Sequence, residues 1–281
     1  MQGTFSRSWQ LTKESFEVLK TDKHLVVFPI ISGIATIILF ALLMVPAAFL
    51  SGLVAGNTDN TYVFYVFFFI YYFAASFVVI FFNTALIACV QIRFRGGEPT
   101  FRDGIDCAYG NIGKIFAWSA INASVGLVLR MIRERAGILG SIVAGIIGIA
   151  WNLITFFVIP VIIFEGLGAI DSIKRSTSIF RKTWGENMVL RFSVGLIFFL
   201  LGLVGIIPIV LAALTKTAVV IIPVVGLVII YWVVLAVIAA ALNGVFATAL
   251  YDFAVTGQVP RVFSPNVIQG AFSQKTRRFF R

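Results

Sequence analysis

The stretch LRMIRERAG (residues 129–137) sets Arg130, Arg133 and Arg135, with Glu134 among them, between two apolar runs. The map of the whole chain turns on it. If the two runs form a membrane hairpin, the arginines sit at a boundary facing away from the other basic loops. If they do not, the number of crossings and the side of every later loop change.

Composition places the runs in a membrane. Of 281 residues, 60% are hydrophobic and 12% charged, against about 25% charged in an ordinary soluble domain. A water-soluble fold could not cover that much apolar surface. The opening residues, MQGTFSRSWQLTKESFEVLKTDK, are polar and charged. The apolar run after them exceeds the roughly 7–15 residues of a signal-peptide core, so no cleavable signal is expected. The net charge of +10 flanks apolar runs, which assigns it to topology; no nucleic-acid partner is expected.

A helical span needs about 20 residues. The candidates are residues 26–50, 62–92, 115–129, 138–164, 188–214 and 218–251. Pro46, Pro160, Pro208 and Pro223 mark kinks or span ends. Arg7, Lys13, Lys20 and Lys23 precede the first span, and Arg93, Arg95, Arg102 and Lys114 follow the second. Lys174, Arg175, Arg181 and Lys182 follow the fourth, and a basic tail follows the sixth. The first loop has no lysine or arginine and the fifth only Lys216. Positive charge favours the cytoplasm, so both termini are expected inside, at a cell inner (plasma) membrane. Only the 129–137 loop disagrees.

A repeat supports the hairpin. RSWQLTKESF (residues 7–16) and RSTSIFRKTW (residues 175–184) share the pattern Arg-Ser-x-x-apolar-x-basic-x-x-aromatic, and FRDGIDCAYGNIGKI (residues 101–115) is a looser version. At helical spacing each puts apolar residues on one face with basic residues beside them, as an interfacial amphipathic helix does. The even-numbered spans each carry one asparagine, Asn83, Asn152 and Asn243. Glycine-containing turns, GGEP, EGLG and GQVP, follow at nearly constant distance and end those helices. The expected fold is an all-α integral membrane protein with six transmembrane helices. They form three pseudo-repeated hairpins, each preceded by a cytoplasmic interfacial amphipathic helix. As one membrane domain over residues 1–281 this gives an interfacial helix (1–25), a hairpin (26–92), two further helix-plus-hairpin units (100–164 and 170–251) and a basic cytoplasmic tail (252–281).

At FSRSWQLTKESFEVLKTDKHLVVFP and at IIFEGLGAIDSIKRSTSIFRKTWGEN the sequence resembles a family of uncharacterised prokaryotic six-span membrane proteins. These are similar to the membrane domain attached to some glycerophosphodiester phosphodiesterases. The pattern from Glu165 to Ser176 is its most specific part. The resemblance implies a helical membrane bundle. The catalytic barrel of those enzymes is absent, so it implies no phosphodiesterase activity.

Chemistry-bearing sets are scarce. There is one histidine, His24, and Cys89 and Cys107 show no metal or disulfide spacing. No nucleophilic triad, carboxylate pair or phosphate-binding loop is present, so the protein is expected to be no enzyme and to use no metal or cofactor. Intramembrane amides need partners and should face the bundle interior, which applies to Asn83, Asn122, Asn152 and Asn243. Small residues recur every fourth position in the fourth span (Gly137, Ser141 and Gly145; Gly140, Ala144 and Gly148) and in the sixth (Ala236, Ala240, Gly244 and Thr248), spacing that lets helix backbones approach closely. Glu165 and Asp252 are boundary charges, Glu165 within reach of Arg175. Arg130 and Glu134, four apart, can pair, and the arginines can snorkel to headgroups or bind lipid phosphate or another anion.

Two functions are expected. The leading one is a lipid- or partner-binding accessory component of a membrane or envelope complex. In it Arg7, Lys13, Lys174, Arg175, Arg181 and Lys182 hold anionic headgroups, with room for a protein partner or a homo-oligomer. The alternative is a small-solute or ion transporter or channel with a polar cavity lined by the four asparagines.

Overall fold

The structure, a computed structural model, describes residues 4–54, 61–135, 137–184, 198–258, 260 and 263. Among them the chain is helical, with no strand: α1 (Thr4–Thr21), α2 (His24–Val54), α3 (Thr61–Phe94), α4 (Phe101–Gly110), α5 (Ile112–Arg135), α6 (Gly137–Ile154), α7 (Val158–Phe164), α8 (Ala169–Trp184), α9 (Ile206–Leu214) and α10 (Ala218–Thr256). Five stretches are long and apolar enough to cross a membrane: His24–Leu50, Val66–Phe94, Ile112–Arg135, Gly137–Phe164 and Ala218–Thr256. This is the architecture of a multi-pass membrane protein. Of the expected span 188–214, residues 188–197 lie outside the described residues, and the remainder is a shorter apolar helix, Phe198–Leu214.

The three segments expected to be interfacial are all helices, α1, α4 and α8. The three turns expected to stop the even-numbered spans each hold a glycine at positive φ: Gly96 at 87°, Gly166 at 69° and Gly257 at 71°. A side chain at such a φ is strained, which is why the helix stops there. Pro29 and Pro46 sit inside the continuous α2. Pro160 instead coincides with a real break, a turn at residues 155–157 between α6 and α7.

The chain divides into two compact units, Val27–Phe180, and Met1–Val26 with Arg181–Arg281. In the first, α3 is central, packing against α4, α5 and α7, while α5 and α6 form the hairpin around LRMIRERAG. α3 and α5 run antiparallel in a four-residue register. Phe68, Tyr72 and Ser76 on α3 meet Arg130, Gly126 and Asn122 on α5. These are facing i±4 rows, the usual way two helix surfaces interlock. Gly126 suits the row, since a Cβ there would press on the Tyr72 hydroxyl and ring. Of the two small-residue rows on α6, Gly140 and Ala144 are buried. Gly148 of the same row comes closest to Leu129 of α5, so this row is the one that packs.

In the second unit α1 and α9 pack on α10. The buried residues of α10 concentrate at 241–251. The helix break at Gly205 is bridged by Tyr231 and Trp232, which donate to the carbonyls of Leu201 and Gly202 at 2.7 and 3.0 Å. Irregular backbone at membrane depth needs such partners because no water is at hand.

Candidate functional site

The arginine stretch forms the last turns of α5, where the unsatisfied carbonyls of the helix C-terminus favour cations. Arg130 Nε donates to Glu134 Oε1 at 2.7 Å, and its guanidinium lies 4.3 Å from the centre of the Phe68 ring on α3. Phe68 stacks in turn on Tyr72. Beside this arrangement lies a cavity of about 310 Å³. Its apolar wall is Phe68, Phe69, Leu127 and Met131, and its polar rim is Arg130, Glu134 and Arg135. Arg133 and Arg135 are exposed and have no ion-pair partner among the described residues. The sequence marked the arginines but not Phe68 or Phe69, which lie far from them in the chain, on α3.

The Glu165–Ser176 pattern is a structural junction. Arg175 Nε donates to both carboxylate oxygens of Glu165 at 2.9 and 2.8 Å, with the two side chains 37% and 23% exposed. Next to it the buried Ser176 spans the break between α6 and α7. Its hydroxyl donates to the Ile154 carbonyl at 2.6 Å and accepts from the Phe157 N–H at 3.1 Å. Glu165, Arg175 and Ser176 therefore fix where α8 docks. Arg175, expected to hold a headgroup, pairs with Glu165 through its Nε.

α4 and α8 have two-sided surfaces. On α4 the buried face is Gly104 and Ala108, and Phe101 stacks on Phe28 of α2 at 4.9 Å. The opposite face carries Arg102, Asp106 and Tyr109, with Tyr109 68% exposed. On α8 the buried face is Ser172, Ser176 and Ile179, and the opposite face carries Ile170, 62% exposed, and Lys174. Lys174 pairs with Asp171 at 3.1 Å and Arg102 with Asp106 at 3.5 Å, both on the helix surface. Lys13 and Arg181 are exposed. The side chains of Arg7 and Lys182 lie outside the described residues. Arg102 and Tyr109 were missed as site residues because the looser second repeat hid their register.

α4 begins with a capping box. Thr100 Oγ1 accepts from the Asp103 N–H at 3.2 Å, and an Asp103 carboxylate oxygen accepts from the Thr100 N–H at 2.8 Å and hydroxyl at 2.7 Å. The hydrogen bond from the Thr100 hydroxyl, then that from its N–H, hold the Asp103 carboxyl below its usual pKa. Burial pushes the Cys107 thiol up.

Asn122 donates to Ser76 of α3 at 3.5 Å and accepts from the Trp151 indole of α6 at 3.2 Å, so one amide ties three helices. Asn83 is half-buried on α3, and Asn152 and Asn243 are exposed rather than turned inward. No hydrogen bond joins any two of the four among the described residues. Asp252 is half-buried near the end of α10.

In the comparison with protein families, the model described as Family of unknown function (DUF6159) matches residues 61–261, from α3 through α10. No curated protein matches, and no solved structure matches.

Proposed function

We propose, from the premise that the chain belongs to the Family of unknown function (DUF6159) and takes no activity from it, a non-enzymatic multi-pass membrane protein. It holds anionic lipid headgroups along the boundary that carries α4 and α8, as an accessory component of a membrane or envelope complex. The observation that carries this reading is the outward face of those two helices. Arg102 beside Tyr109 and Lys174 beside Ile170 are exposed mixtures of basic and large apolar side chains. Such a face suits the headgroup level, where an aromatic or aliphatic side chain enters the acyl boundary and a cation meets phosphate. The exposed pairs with Asp106 and Asp171 are weak enough to exchange for a lipid phosphate.

The basic loops support cytoplasmic termini and an inner-membrane setting. The recurrence of helix, span and glycine stop supports three pseudo-repeated units and six crossings. The resemblance to the membrane domain of some glycerophosphodiester phosphodiesterases, most specific over Glu165–Ser176, is read as one of fold alone, because those residues dock a helix.

The test is lipid retention by the purified full chain in a mild non-ionic detergent. The protein should retain phosphatidylglycerol over phosphatidylcholine. The preference should shrink as salt rises from 50 to 500 mM, roughly as expected when the screening length falls below 10 Å. Arg102→Gln with Lys174→Gln should reduce it further. Equal retention of both lipids, insensitive to salt, removes the reading.

A further inference from the structure

We infer that the cavity between α3 and α5 is a second, separate binding site, for an amphiphilic anion: a phosphate headgroup carrying an apolar chain. It lies at the far end of α5 from α4, roughly 23–35 Å along the helix at a rise of about 1.5 Å per residue. It uses none of the residues of the α4 and α8 faces, so it stands or falls independently of them.

The rim chemistry selects an anion. Arg130 and Arg135 face one carboxylate, Glu134. That carboxylate is already occupied by Arg130 Nε, which leaves the two terminal amino groups of Arg130 and the whole guanidinium of Arg135 for a ligand. A guanidinium offers paired N–H donors that match two oxygens of a phosphate. Arg130 does not have to be ordered by the ligand, because Glu134 and the Phe68 ring already hold it. Pre-ordering of this kind reduces the entropy lost on binding.

The walls select the tail. Phe68, Phe69, Leu127 and Met131 would be left wetted by a bare phosphate, whereas a chain of methylenes covers them. At about 310 Å³ the cavity is at the small end of ligand pockets. It fits a headgroup and the first part of a chain, and not a folded polar solute of drug size. Phe69 and Met131 are also exposed on the helix surface, at 45% and 46%, so a longer chain continues outward along them into the bilayer. The wall is set in place by the α3–α5 register, in which Gly126 admits Tyr72 and Tyr72 stacks on Phe68.

The experiment uses the full chain in non-ionic detergent and counts bound molecules by native mass spectrometry with three probes: dodecyl phosphate, inorganic phosphate and dodecylphosphocholine. Dodecyl phosphate should bind most tightly. Arg135→Gln removes no contact within the protein and should fold normally. It should weaken dodecyl phosphate about tenfold, the worth of one charge-assisted contact. Leu127→Trp, which fills the cavity, should weaken it as much or more, and Arg135→Gln should cause the same loss when made in an Arg102→Gln, Lys174→Gln background, where binding at the α4 and α8 faces is already reduced. Inorganic phosphate binding as well as dodecyl phosphate would overturn the assignment of an amphiphile. Dodecylphosphocholine binding equally would show apolar adsorption and overturn the role of the arginines. Binding indifferent to both Arg135→Gln and Leu127→Trp would overturn the site.

Discussion

Ser176 serves two backbone groups at once where the α6–α7 path breaks, accepting from Phe157 and donating to Ile154. Ser176→Ala puts in a methyl group that can do neither. Removing a buried hydrogen-bonding partner costs about 1–3 kcal/mol per group left behind, so thermal unfolding in detergent should begin several degrees lower. Ser176→Thr, which keeps the hydroxyl, should recover part of the loss, and an unchanged midpoint for Ser176→Ala would show that the bridge does not hold the break. Asp103 gives a prediction in pH. Its folded pKa lies below the ordinary 3.8, so its contribution to the α4 cap is complete above that value and is lost as pH falls through the lower folded one. Hydrogen-exchange protection at the start of α4 should decline over that acid window in the wild type and stay flat in Asp103→Asn. The sequence made these residues visible to different degrees. Asn122 declared that it needed partners, but Ser76 and Trp151 lie 46 and 29 positions away, and no periodicity links them. Glu165 and Arg175 were readable as a pair because they lie only ten residues apart, on either side of one short turn.

At the scale of elements, α4 crosses α3 in close contact with its backbone. A Cβ on Gly104 would lie 2.7 Å from the Ala85 carbonyl oxygen and 2.8 Å from Cys89 Sγ. Backbone cannot yield as a side chain can, so Gly104→Ala must push α4 off α3 and strain the Phe28–Phe101 stack. Overpacking of this kind costs about 1–3 kcal/mol. It should also speed alkylation of Cys89, which is 1% exposed in the native packing. Wild-type rates in the variant would mean that α4 is not seated on α3 as described. Gly113→Ala, with open space around its position, is the control. Helix stops were legible because they depend on local chemistry, the glycines at positive φ at 96, 166 and 257; the Thr100 cap at the start of α4 is equally local and was not read. Prolines were a weaker guide. Pro160 marks a break, but Pro46 lies within continuous α2, since a proline in a membrane helix can be accommodated where neighbours satisfy the freed groups. Which face of α6 packs was not decidable from two equally spaced small-residue rows; only the position of α5 selects Gly140 and Ala144.

Over the whole molecule, apolar length is a one-dimensional property and the sequence shows it directly; five apolar stretches long enough to span are present. The number of crossings is harder, because it depends on residues 188–214, of which the described part is the short apolar helix Phe198–Leu214. Parity settles the count. With an even number of crossings, the segments before α2 and after α10 share a side; with an odd number they do not. Single cysteines at Lys13 and Lys275, each in a Cys89→Ser, Cys107→Ser background, can be labelled with a membrane-impermeant maleimide in sealed inverted and right-side-out vesicles. Six crossings with basic segments inside predict that both label from the cytoplasmic face and that Arg133→Cys labels from the other. Lys13 and Lys275 labelling from opposite faces would mean an odd number of crossings. Arg133→Cys labelling from the cytoplasmic face would place LRMIRERAG on the same side as the other basic loops. The α5–α6 pair would then enter and leave the membrane without crossing it, and the cavity at Arg130 would face the cytoplasmic leaflet.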